Sequence, residues 1–136
     1  RGYSIKIQLY TVPGQVKYNA TRRLVLRGVD GVVFVADSMA LRKKMNILSL
    51  KDLQENLSTF NKNIFKIPIV LQYNKRDLAN QGIPLLSKED LENDLNRQLK
   101  APAFEASALS GDNVVATLKK AISLTVASLH KKLDLK

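Results

Sequence analysis

The chain has 136 residues, 45% of them hydrophobic, with six glycines and four prolines. That is room for one domain with a real core, too little for two, and the wrong composition for a disordered or collagen-like chain. It has no cysteine, which removes disulfides, thiol catalysis, cysteine-ligated zinc and prenyl or palmitoyl anchors. Twenty-two Lys and Arg against twelve Asp and Glu give a formal charge of +10 and favour anionic partners. The basic residues are dispersed without interleaved aromatics, so a solvated basic surface is the better reading and a nucleic-acid partner is not expected.

Taken in chain order, Ile5–Tyr10 alternates apolar and polar residues and predicts a strand with one wet face. Thr11-Val12-Pro13-Gly14-Gln15 is a breaker-rich turn, and Val16–Leu26 has apolar residues at helical spacing that stop near Gly28. The continuous apolar run Val32–Ala36, ending in Asp37-Ser38, predicts a strand buried on both faces. It is also the longest apolar run, far short of the ~18 residues of a membrane span. Met45–Phe60 carries Ile47, Leu50, Leu53, Leu57 and Phe60 on one helical face. Ile67–Tyr73 predicts a second buried strand with Pro68 at its start. Asn74–Pro84 reads as a loop, and Ser87 with Asp90 three residues on opens a helix. Ala103–Ala106 is a brief last strand. Gly111-Asp112-Asn113 then leads into a long helix with Val115, Leu118, Ile122, Val126 and Leu129 on one side. His130, near its end, has no partner in the pattern and reads as surface. Strands alternating with helices predict an α/β fold with a parallel sheet and helices on both faces.

In such a sheet, ligands sit at the carboxyl ends of the strands. Four polar or small segments fall there: Thr11–Gln15, Asp37-Ser38, Asn74-Lys75-Arg76-Asp77 and Ala106-Ser107-Ala108. The third is the sharpest. A carboxylate at Asp77 can accept from the ring N–H and the exocyclic amine of guanine, which adenine does not offer in that pattern. Charge-assisted bonds of ~1.5–3 kcal/mol each are enough to choose a base. The Lys75 stem can lie along the base plane, and the Asn74 amide can donate to the base and brace nearby loops.

Asn-Lys-x-Asp after the penultimate strand resembles the guanine-specificity motif of the Ras-like small GTPases. Glu105-Ala106-Ser107-Ala108 resembles their second base-contacting motif, in which the Ala108 N–H would reach the guanine oxygen and Ser107 belongs to the same loop. Thr11–Gln15 resembles the family's Asp-x-x-Gly-Gln segment, with Thr for Asp. The resemblance implies that Gly14 senses the γ-phosphate and that Gln15, the catalytic residue, orients the attacking water. Thr11 would stand where an Asp supports Mg²⁺ through water, a task for which a neutral side chain is poorer. Leu9–Gln15, Tyr18, Leu24–Ser38 and Gln72–Leu78 together resemble the MglA branch of these GTPases, whose members carry Thr-Val-Pro-Gly-Gln. What this implies is a three-layer Ras-like P-loop NTPase fold that binds GTP or GDP with Mg²⁺. It further implies GTP hydrolysis as a switch in cell polarity or gliding motility. The implied partners are a Roadblock-domain, MglB-like activating protein and polarity effectors. The implied location is cytoplasmic, with recruitment to membrane or cell pole.

The phosphate loop Gly-x-x-x-x-Gly-Lys-[Ser/Thr] cannot be made from glycines 2, 14, 28, 31, 82 and 111. The sequence also opens on Arg1 rather than Met. The expectation is therefore one small GTPase domain, truncated at its N-terminus, whose first two strands, first helix and phosphate loop lie upstream. Alone, the 136 residues are expected to be inactive. The missing first strand would sit between Ile5–Tyr10 and Val32–Ala36, leaving a gap of roughly 10 Å. A second reading is a non-catalytic interaction module whose partner surface is the helix after Gln15, with Tyr18, Arg22, Arg23 and Arg27.

Overall fold

The computed structural model describes residues 4–12 and 19–134. The order of elements is α1 (Asn19–Leu26), β1 (Val32–Asp37), α2 (Lys43–Thr59), β2 (Ile69–Asn74), α3 (Lys88–Leu91), β3 (Ala103–Glu105) and α4 (Val114–Asp134). Short 3₁₀ turns at Ala40–Arg42 and Arg76–Gln81, and a π-helical turn at Glu92–Asn96 that continues α3, complete it.

The sheet is parallel, in the order β1-β2-β3. Val32 lies opposite Ile69 and Asp37 opposite Asn74, so β1 and β2 end level with each other. Leu71 pairs with Ala103 and Tyr73 with Glu105. Side chains alternate across a strand, and β2 shows both faces in use. Ile69, Leu71 and Tyr73 join Ala36, Leu26, Leu57, Leu91 and Leu95 in the main core, with Phe34, Leu50 and Leu53 packed against it. On the other face Gln72 donates to the Thr117 hydroxyl of α4 at 2.9 Å. Helices therefore cover both faces, giving the three layers expected. Burial of side chains such as Leu57 and Leu71, fully enclosed, stabilises by roughly 1.5–3 kcal/mol each.

Helix boundaries follow local chemistry. Ser87 caps α3, its hydroxyl accepting the Asp90 N–H at 3.0 Å. Asn61, at φ +60°, ends the turn after α2. Gly31 sits where a Cβ would fall 2.0 Å from Thr125 Oγ1, so α4 meets the start of β1 at a point where only glycine fits.

Several expectations need correction. Ile5–Tyr10 is not a strand: residues 4–10 are irregular and exposed, with Leu9 at 69% and Tyr10 at 68%. Alternation specifies a face only where a neighbouring strand and a core receive it. Here β1 pairs with β2 on one side and with no described strand on the other. For the same reason β1 is not buried on both faces. Among the described strands it is an edge, and Val35 is 53% exposed. β2 is the enclosed strand, buried from Ile69 to Tyr73. The start of the Val16–Leu26 helix lies outside the described residues, as do Gly14 and Gln15. The Asn74–Pro84 loop contains the 3₁₀ turn from Arg76. On α4, Val115 is 61% exposed and Thr117 holds the buried position instead, because the Gln72 amide on that sheet face asks for a hydroxyl. Arg22, proposed for a partner surface, is buried and ion-paired to Asp52 at 3.0 Å, and the Arg23 Nε donates to Asn56. Arg22 therefore ties α1 to α2 from inside, whereas Arg23 makes its bond to α2 and stays exposed, as does Arg27.

Candidate functional site

Three segments meet at the carboxyl ends of the strands. The sheet's hydrogen bonds run on beyond the strands themselves and draw these segments together. Ser38 N–H donates to Asn74 O at 3.1 Å, Ala106 N–H to Tyr73 O at 2.8 Å and Arg76 N–H to Ala106 O at 3.1 Å. Asn74 stands at the centre. Its Oδ1 accepts the N–H of Lys75 and the N–H of Ala108, each at 2.8 Å. One side-chain oxygen thus fixes the turn after β2 to the loop after β3. Lys75 takes φ +69°, a left-handed conformation uncommon for a residue with a Cβ. The bond from its own N–H to Asn74 helps to hold it there.

Asp77 is the second residue of the 3₁₀ turn, and the carboxylate of this half-buried residue has no hydrogen bond or ion pair to another described residue. The Asn74 side-chain amide likewise donates to none of them. An acceptor pair at Asp77 and a donor at Asn74, three residues apart on one rim, match the donors and the acceptor on the edge of a guanine ring. Arg76 does not share in this. Its Nη1 donates to Leu86 O at 2.6 Å and its Nε lies 3.2 Å from Glu105 Oε1, so it braces the rim from behind.

The structure brings Asn74, Lys75, Asp77, Ser107 and Ala108 together, but two of them are used differently from the expectation. The Ala108 N–H is engaged by Asn74 instead of facing outward. Ser107 is buried, and its hydroxyl accepts the Ser110 N–H at 3.2 Å, so it shapes the loop from inside. Gly111 at φ +84° and Asn113 at φ +58° complete that loop, and the Asn113 amide returns to Glu105 O at 2.7 Å. Thr11 is exposed and bonds to no other described residue.

Two features were not read from the sequence. The Lys75 ammonium lies 2.8 Å from Asp37 Oδ2 across the ends of β1 and β2. Behind the rim, the hydroxyl of fully buried Tyr73 donates to Glu92 Oε2 at 2.6 Å. Asn96 donates to the same oxygen and also holds the Ala101 N–H and C=O. Burial, reinforced by the Glu92 carboxylate, pushes the Tyr73 hydroxyl far above the ordinary tyrosine range. The π-helical turn brings Glu92 and Asn96 into this network, and neither charge pattern nor periodicity announces such a turn.

A motif of this kind on a parallel three-layer fold has a match among known proteins. Residues 1–127 fit the model of the Ras family. The chain belongs to the Ras family. It is also 45% identical, over 131 residues, to the Mutual gliding-motility protein MglA of Myxococcus xanthus (strain DK1622). The match covers 96% of this chain and 65% of that relative, so the chain spans just under two-thirds of the relative's length. It is an MglA-like member of the Ras superfamily.

Ras-family GTPases bind GTP or GDP with Mg²⁺ in general. Among the described residues no three His, Cys, Asp or Glu side chains gather as a metal site would require. Thr11 is neutral and the Asp37 carboxylate is engaged by Lys75 and Met39.

Proposed function

We propose that the rim formed by Asn74, Lys75, Asp77 and the Ala108 loop reads the guanine ring of GTP and GDP. We further propose that the protein hydrolyses GTP as a switch in cell polarity or gliding motility. The single observation that supports base reading is the Asn74 brace. It ties two loops from different strands into one edge while its amide nitrogen and the Asp77 carboxylate make no bond to other described residues. In this reading Gly14 senses the γ-phosphate and Gln15 orients water, with Thr11 lending Mg²⁺ weak support through water. All three assignments follow the family pattern. Likeness to MglA supports a Roadblock-domain activating partner, polarity effectors and recruitment to membrane or cell pole. Among the described residues no helix is long and apolar enough to cross a membrane.

The test exploits xanthine, which presents a carbonyl where guanine presents its amine. In the intact protein, Asp77→Asn is expected to weaken binding of a fluorescent GDP analogue by about tenfold or more and to strengthen the xanthosine counterpart. Unchanged GDP affinity in a folded Asp77→Asn variant defeats the base-reading claim. A second reading, a non-catalytic interaction module, is favoured by the Ala108 N–H being engaged within the protein. The native titration separates the two, since a module that has lost nucleotide shows no saturable GDP binding.

A further inference from the structure

Asp37 lies at the end of β1, on a strand that contributes nothing to the Asn-Lys-x-Asp motif, yet it is the most firmly held carboxylate on the rim. Its own N–H donates to Asn46 Oδ1 at 3.0 Å, and its carbonyl accepts the Asn46 amide at 2.8 Å. Asn46 is a buried side chain of α2, so this double clamp fixes the Asp37 backbone to the helix. Asp37 Oδ1 is then occupied by the Met39 N–H at 3.0 Å. That leaves Oδ2 aimed at Lys75, with Arg42 Nε farther off at 3.9 Å.

The consequence falls on the lysine. Asp37 faces Asn74 in the register, one residue before Lys75. With its backbone in the left-handed region and its ammonium held at 2.8 Å, Lys75 has both ends of its side chain fixed. The side chain is nevertheless 43% exposed. A methylene stem anchored at both ends and open along its length is a narrow apolar shelf, and a long cationic side chain is otherwise too mobile to provide one.

We propose that Asp37 is a positioning residue of the purine site: by pinning the Lys75 ammonium, it lays the lysine stem across the ends of β1 and β2 as a floor for the planar ring. This rests on the guanine reading above but makes a separate claim. Asp77 selects the base through its edge. Asp37, acting through Lys75, supports any purine through its face.

The experiment titrates the intact protein with fluorescent analogues of GDP, inosine diphosphate and xanthosine diphosphate. It compares the native protein with Asp37→Asn, Lys75→Met and the double variant. Asn at position 37 keeps an oxygen for the Met39 N–H while losing the charge. Asp37→Asn is expected to weaken all three nucleotides together by about tenfold, with their ranking unchanged, and to cause no further loss in the Lys75→Met background. A change under twofold, a loss confined to one base, or an equal loss in the Lys75→Met background overturns the proposal. Should Asp37→Asn fail to fold, ¹⁵N NMR of the native protein decides. A Lys75 ammonium signal in slow exchange with solvent supports the pin, and one averaged with the other lysines overturns it. If native protein binds no purine nucleotide, both this proposal and the guanine reading fall. If Asp77→Asn switches base preference while Asp37→Asn does nothing, only this one does.

Discussion

The rim around Asn74 and the segment carrying Thr11 are two parts of one expected site, and they are held in opposite ways. Around Asn74, residues from β1, β2 and β3 share backbone and side-chain bonds, and a single amide oxygen joins two loops. Along residues 4–12, the side chain of Tyr10 reaches only Gln8, two residues away, and the apolar side chains face solvent. The difference teaches what orders a rim: the carboxyl ends of adjacent strands that form a sheet together, as these three do. Among the described residues the Thr11 segment has no strand beside it to set its register.

That contrast is open to measurement, beginning where the effect is largest. Asn74→Ala leaves the N–H groups of Lys75 and Ala108 without their shared acceptor. It is expected to cost about 1–3 kcal/mol in denaturant unfolding, as well as nucleotide affinity. A loss no greater than that of an exposed substitution breaks the contrast.

Behind the rim, Tyr73→Phe removes a bond to Glu92 and is expected to cost about 1 kcal/mol at neutral pH. It also carries a pH signature. The folded-state pKa of Tyr73 is raised, so the folded protein keeps a proton that the unfolded chain releases near pH 10. The native contribution is complete below that pH and declines as pH rises beyond it. Melting temperatures from pH 9 to 11 are expected to fall more steeply for the native protein than for Tyr73→Phe, and parallel slopes exclude the linkage. Smallest of all, Thr11→Ala is expected to change stability by less than about 0.5 kcal/mol, because the side chain is exposed and bonds to no described residue. A larger change means that the segment is held after all.

These contrasts also mark what the residue pattern could reveal. The enclosed strand was legible from its unbroken apolar run, the Ser87 cap from a side-chain type at a set position, and the place of Asn74–Asp77 on the rim from following that strand directly. Alternation at Ile5–Tyr10 misled because it records a potential face, whereas a strand needs neighbours to become one. Val35 misled similarly: an apolar run does not say whether a strand lies at the centre or the edge. The Asp37–Lys75 pair joins residues far apart in sequence, and only the register of β1 on β2 makes them neighbours. Arg22 looked like part of a basic face because charge alone does not distinguish a solvated guanidinium from a buried one bonded to Asp52.

The close approach at Gly31 has a mechanical consequence. A Cβ there would fall 2.0 Å from Thr125 Oγ1, so any side chain must lever α4 away from the start of β1. The same helix holds Thr117 against Gln72 of β2 at 2.9 Å. α4 is thus clamped to the sheet at two levels, and loosening one turns the other into a pivot.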